Sequence, residues 1–123
     1  MSGYRCIAIG TSLGGLRAVS LLLAALRGQL SVPVCLVQHR RVDVESLLPG
    51  LLQAHTSLLV IEPDDRAPLL AGRLYVAPSN YHLIIEREQL RLSVEGPVYY
   101  ARPSIDVLFE SLAMSFGARA IAV

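Results

Sequence analysis

The sequence predicts an α/β fold: a three-layer sandwich with a mainly parallel sheet and an antiparallel hairpin at one edge. Three observations predict it. The runs Arg5-Cys6-Ile7-Ala8-Ile9 and Val32 to Gln38 are apolar on both faces, the mark of parallel strands covered from either side. Between them Leu16, Val19, Leu22, Leu23 and Leu26 recur at helical spacing, leaving room for one right-handed crossover. Beyond them the middle of the chain alternates short apolar runs with Pro, Asn and Gly, which reads as strands and turns.

Taken in order, the glycine-rich turn Gly10-Thr11-Ser12-Leu13-Gly14-Gly15 follows the first strand at once, and Gly28 stops the first helix. Glu45 to His55 reads as a second helix, kinked or restarted at Pro49-Gly50. Leu58 to Glu62 is a third short strand, and Pro63 to Pro68 a polar loop. Arg73 to Ala77 and Tyr81 to Glu86 are strands separated by Pro78-Ser79-Asn80, and Leu90 to Val94 alternates with one wet face. This β-rich middle is expected to be antiparallel and to lie at one edge of the sheet. Ser104 to Phe116 is the clearest helix. Ser104 can cap it, Asp106 suits its positive end, and Ile105, Leu108, Phe109, Leu112 and Phe116 form its apolar stripe. Gly117 ends it, and Arg119 to Val123 begins another buried strand in which the sequence stops. No internal repeat or second domain is visible.

Composition narrows the function. The chain has 123 residues, 53% apolar and 17% charged, with net charge +1, which describes a globular domain with a real core. All eleven basic residues are arginines, and only Arg40 and Arg41 are adjacent, so no basic tract points to nucleic acid. The longest nearly unbroken apolar stretch, Ala18 to Leu26, is far short of the roughly 20 residues of a membrane span. The N-terminus lacks the features of a signal peptide. Cys6 and Cys35 each sit inside a strand run and read as buried small hydrophobes, consistent with a cytoplasmic protein.

The chemistry gathers at two strand ends. Strand, glycine-rich turn and helix place Ser12 at the carboxyl edge of a parallel sheet, where open α/β folds bind ligands. Gly10, Gly14 and Gly15 permit the tight turn. Backbone N–H groups of Thr11, Leu13, Gly14 and Gly15 would serve an oxyanion there, helped by the helix dipole. A serine so placed resembles a nucleophile elbow, yet serine needs a base within hydrogen-bond reach. His39, ending the second strand, supplies one. Each residue alone has a plainer reading, Ser12 as a cap in a phosphate-cradling loop and His39 as a loop histidine. Together, at successive strand ends, they favour catalysis.

At this point the residues carry a resemblance. Ile7-Ala8-Ile9-Gly10-Thr11-Ser12-Leu13-Gly14-Gly15, Val37-Gln38-His39, Leu74-Tyr75-Val76-Ala77-Pro78 with His82, Arg102-Pro103-Ser104-Ile105-Asp106-Val107-Leu108-Phe109 and Gly117-Ala118-Arg119-Ala120 occur in this order. Together they resemble the catalytic domain of the CheB-type chemotaxis protein-glutamate methylesterases, almost end to end. The resemblance implies a Rossmann-like sheet. It also implies hydrolysis of γ-glutamyl methyl esters on the cytoplasmic helices of chemoreceptors, and in some members deamidation of glutamines. Ser12 matches the nucleophile and His39 the general base, with no metal or organic cofactor.

Residues 1–123 are then expected to be a methylesterase-like catalytic domain without its final strands. The resemblance implies a regulatory receiver domain before this one, whereas the sequence starts directly at the hydrolase strand, so phosphorylation-dependent activation is not assumed. The catalytic aspartate is expected in a loop after the strand that Ala120 begins, so the fragment by itself should have little activity. Sheet edges left uncovered would favour self-association. Leu13 stands where many relatives have a small or hydroxylated residue. His82, Arg102 and Asp106 are candidate cleft-lining residues, each with a structural alternative as hairpin anchor, salt bridge and helix-start acid. Two other functions remain: a catalytically inactive binding module of the same type, and a Rossmann-like nucleotide binder. Against the latter, His39 stands where an acidic residue would meet a ribose.

Overall fold

The computed structural model describes residues 4–12, 15–25, 31–39, 48–96 and 102–123. Its elements are β1 (Cys6–Thr11), α1 (Leu16–Ala25), β2 (Val34–Gln38), α2 (Leu48–Gln53), β3 (Leu59–Ile61), β4 (Arg73–Val76), β5 (His82–Glu86), β6 (Gln89–Ser93), α3 (Ile105–Phe116) and β7 (Ala120–Ala122). Five strands form one sheet in the order β3-β4-β2-β1-β7, every neighbouring pair parallel. The predicted α/β class is therefore what the chain adopts. Gly28, residues 45–47 of the predicted second helix, and the Arg40-Arg41 pair lie outside the described residues.

Strand alternation sorts the core into two faces. Cys6 and Ala8 of β1, Cys35 and Val37 of β2, and Tyr75 of β4 with Ala77 just beyond it pack against Leu108 and Leu112 of α3 and against Leu83, Ile85 and Leu90 of the hairpin. The alternate residues Ile9, Val34, Leu36, Leu74 and Val76 pack against Val19 and Leu23 of α1 and Leu48 and Leu52 of α2. Three layers result, with the sheet in the middle. Both cysteines are fully buried and free, and contact with Cys6, reinforced by burial, pushes the Cys35 thiol up. It stays protonated as apolar fill.

The β-rich middle differs from expectation. Arg73–Val76 is a parallel interior strand between β2 and β3. Among the described strands, β5 and β6 are the antiparallel pair, and they form a separate two-stranded sheet. The physical reason is burial: Leu74, Tyr75 and Val76 are each fully buried, so β4 needs cover on both faces. The hairpin shares that cover with α3. Two serines one turn apart on α3 serve the backbone of β5. Ser111 Oγ accepts the Ile85 N–H at 2.9 Å, while Ser115 Oγ donates to the Ile85 carbonyl at 3.0 Å and accepts the Arg87 N–H at 3.1 Å. Side chains thus satisfy part of an edge that another strand would otherwise pair.

A carboxylate ties the loop before β4 to the hairpin. Asp65 Oδ1 accepts the Leu92 N–H at 2.9 Å and the Arg91 Nε–H at 3.3 Å. The Leu92 amide first, and the Arg91 guanidinium with it, hold the Asp65 carboxyl below the usual aspartate range. A depressed carboxyl stabilises the fold above its unfolded pKa, about 3.9, and loses that contribution as pH falls through the folded value. Asp65→Asn should therefore lower the thermal midpoint most above pH about 4, and the gap from wild type should close in acid. A gap independent of pH would show that the carboxylate charge contributes nothing.

Candidate active site

The site is set by where two neighbouring strands stop. In the β1–β2 ladder Thr11 is the partner of Gln38, and the His39 N–H donates to the Thr11 carbonyl at 3.0 Å. Ser12 and His39 are the next residues on the two strands. Cys6, Ala8 and Gly10 of β1 and Cys35 and Val37 of β2 face the α3 side, and Ser12 and His39 come next after those rows in sequence. From β1 the chain winds outward to β2 and later returns to β7 on the opposite flank. The carboxyl end of β1 is thus a topological switch point, the ligand position of open α/β sheets.

Local packing fixes the turn. The Gly15 N–H donates to the Ser12 carbonyl at 3.0 Å, and the Val19 N–H takes the Gly15 carbonyl at 2.9 Å as α1 opens. Thr11 Oγ1 occupies the space where a Cβ on residue 15 would go, so only glycine fits there. Leu13 and Gly14 lie outside the described residues. Ser12 is exposed, whereas His39 is half-buried, and its Nε2 is buried with no hydrogen-bond partner among the described residues, Ser12 included. A buried imidazole nitrogen without a partner is a ready proton acceptor for a group that arrives beside it.

The start of α3 leans on the same edge. Ser104 caps the helix by accepting the Val107 N–H at 3.3 Å, and Ile105 packs onto Gly10, where a Cβ would collide with it. This brings the positive end of the α3 dipole to the carboxyl end of β1. Gly10→Ala should therefore destabilise the protein by about 1–3 kcal/mol. Adding Ile105→Ala should recover part of that loss, giving a non-additive double-mutant cycle in urea unfolding. Additive losses would show that the two residues share no such contact.

The candidate cleft residues divide differently. His82 is 2% exposed; its Nδ1 accepts the Ser104 N–H at 3.2 Å, so its Nε2 carries the proton and donates to the Gly96 carbonyl at 3.0 Å. With both ring nitrogens engaged, it anchors the hairpin to the start of α3. Arg102 likewise spends its donors on structure, with Nε and Nη2 on Asn80 Oδ1 at 3.0 and 2.8 Å and Nη1 on the Val94 and Glu95 carbonyls at 2.8 and 3.2 Å. Asp106 is exposed in the first turn of α3, the place its helix-start role requires. His55 is exposed beyond α2.

One polar group at this edge was not foreseen. Ser79 lies in the turn just beyond β4, and its Oγ is buried with no partner among the described residues. Gln38 Oε1 is also buried and unpartnered among the described residues, but Gln38 alternates to the face opposite α3. Among the described residues no group of three or more His, Cys, Asp and Glu is placed to hold a metal ion, and no helix is long and apolar enough to cross a membrane.

Comparison with known proteins bears on this geometry. The family model for CheB methylesterase matches residues 7–123. A putative protein-glutamate methylesterase/protein-glutamine glutaminase of Leptospira interrogans is 34% identical over 98% of this chain, which spans 63% of that relative. The protein-glutamate methylesterase/protein-glutamine glutaminase of Geobacillus kaustophilus is 40% identical over 95% of this chain, which spans 35% of it. The crystal structure of the CheB methylesterase catalytic domain of Thermotoga maritima shares the fold with a TM-score of 0.87 at 24% identity, over 97% of this chain and 65% of that one. Five parallel strands, a detached hairpin, a serine turn and a histidine at adjacent strand ends, and a family match over nearly the whole length agree: the chain belongs to the CheB methylesterase family.

Proposed function

We propose that the full-length protein hydrolyses γ-glutamyl methyl esters on the cytoplasmic helices of chemoreceptors, and deamidates glutamines there, with Ser12 as nucleophile and His39 as general base. The observation that supports this reading is the adjacency of the ends of β1 and β2, where Ser12 and His39 are the next residues. The names of the relatives supply the glutamyl substrate.

A ring nitrogen of His39 takes the Ser12 proton as Oγ attacks the ester carbonyl. The tetrahedral oxyanion is met by the amides of the turn and by the positive end of α1. As the intermediate collapses, the His39 proton leaves with methanol, and a glutamyl ester remains on Ser12. Water then gives a proton to His39 while attacking that ester, and Ser12 recovers its proton as the glutamate is released. For a glutamine substrate the leaving group is ammonia. The reaction closes in protons and electrons without a metal or organic cofactor. The same reading places the protein in the cytoplasm with its receptors, apart from nucleic acid. Copies would self-associate through a sheet edge such as β3, where Leu59 is half exposed.

The test is methanol release from a methylated receptor fragment by the full-length protein, with acid-quenched samples digested and weighed. A glutamyl adduct on the Ser12 peptide is the expected intermediate. Methanol release with the adduct on another residue would remove Ser12 from the role.

A further inference from the structure

We propose that Gln53 guards the free edge of the sheet, and that a second copy of this chain pairs with β3 once the Gln53 side chain leaves it. This rests on the self-association proposed above through β3 and is independent of the Ser12–His39 reading. Among the described strands β3 ends the sheet order, with β4 on one side only. Leu59 donates its N–H to the Gly72 carbonyl at 2.9 Å, in register with the β3–β4 ladder. The Leu58 carbonyl belongs to the same peptide unit and so points the other way, toward the open edge. Such an edge is a template for another strand unless something blunts it.

Side chains blunt it here. At the end of α2, Gln53 Nε2 donates to the Leu58 carbonyl at 2.8 Å while its Oε1 accepts the Val60 N–H at 3.0 Å. One amide thus fills the acceptor and the donor positions of a neighbouring strand. Nε2 also donates to the Thr56 carbonyl at 3.3 Å, and Thr56 Oγ1 accepts the Leu58 N–H at 3.1 Å. Gln53 is exposed, so these hydrogen bonds are what hold it at the edge. The edge it covers is complementary to itself. Two copies of β3, antiparallel about a two-fold axis at Leu59, set Leu58 of each opposite Val60 of the other. Each Leu58 carbonyl then takes the other copy's Val60 N–H, the two groups that Gln53 occupies in the single chain. The half-exposed Leu59 meets its counterpart on the axis. Because both copies use the same edge, the assembly closes as a dimer.

The test is sedimentation of the full-length protein over a range of concentrations. Gln53→Met keeps the length of the side chain and removes the amide, and should tighten dimer formation about tenfold or more. Adding Leu59→Lys should restore the wild-type mass, because two ammonium groups would face each other across the axis. Arg102→Ala also removes exposed hydrogen bonds, but none on β3, and should sediment as wild type. Unchanged dimerisation in Gln53→Met, folded by circular dichroism, overturns the guard; the β3 interface survives that result only if Leu59→Lys breaks a wild-type dimer. Tightening that persists with Leu59→Lys overturns the β3 interface as well. Tightening that Arg102→Ala shares overturns the guard, since loosened folding then suffices.

Discussion

Ser12→Ala in the full-length protein should lower methanol release from methylated receptor by about 10⁴-fold or more, the scale at which removal of an activated serine nucleophile acts. Transition-state chemistry is what is lost, and folding is not. Ser12 is exposed, and its backbone carbonyl, which takes the Gly15 N–H, is untouched by the substitution. A surface change of this kind stays within about 0.5 kcal/mol of wild-type stability. The thermal midpoint should hold while turnover collapses. His39→Gln should follow Ser12→Ala in turnover, and the double variant should be scarcely worse than either single one, because the pair acts as a unit. Activity within tenfold of wild type for Ser12→Ala would end the serine-esterase reading. Independent, multiplying losses at Ser12 and His39 would separate the two residues mechanistically.

Much of this arrangement was legible in the sequence because its signals are local. Two-sided apolar runs announce β1 and β2, helical spacing announces α1, and Ser104 three residues before Val107 announces the cap of α3. Parallel strands joined by one helix fix the neighbourhood of Ser12 and His39, at the ends of β1 and β2. Where β4 sits was not local. A four-residue apolar run carries no record of its partner, and only the complete burial of Leu74 to Val76 distinguishes an interior parallel strand from an edge. His82 and Arg102 belong to a third kind. Their partners are 14 or 22 residues away for His82 and between 7 and 22 away for Arg102, and no spacing rule links them. Both are cleft candidates in the sequence because they belong to blocks that carry the family resemblance, each with a structural role as the alternative. Tertiary hydrogen bonds show that they hold the wall of the site in place.

That wall yields the second large effect: His82→Ala should destabilise the protein by about 3 kcal/mol in urea or thermal unfolding. The imidazole is a clamp between two segments that do not otherwise meet in sequence. On one side it accepts the N–H of Ser104, a residue 3% exposed, so water cannot replace the lost acceptor and the amide is stranded. On the other it donates to Gly96, which is exposed and can turn to solvent. The cost therefore lies mostly in the stranded Ser104 amide and in the cavity left by a fully packed ring, each about 1–3 kcal/mol. Ser104 is also the cap of α3, and the next residue, Ile105, rests on Gly10. Loosening the clamp should let the first turn of α3 drift from the end of β1, lowering turnover about tenfold, far less than Ser12→Ala, by displacing the wall and leaving the chemistry intact. Arg102→Ala is the control: its carbonyl partners Val94 and Glu95 are exposed, so water takes over and the loss should stay near 1 kcal/mol. A loss for His82→Ala no larger than that for Arg102→Ala would mean that the Ser104 amide finds another partner, and that the clamp is dispensable.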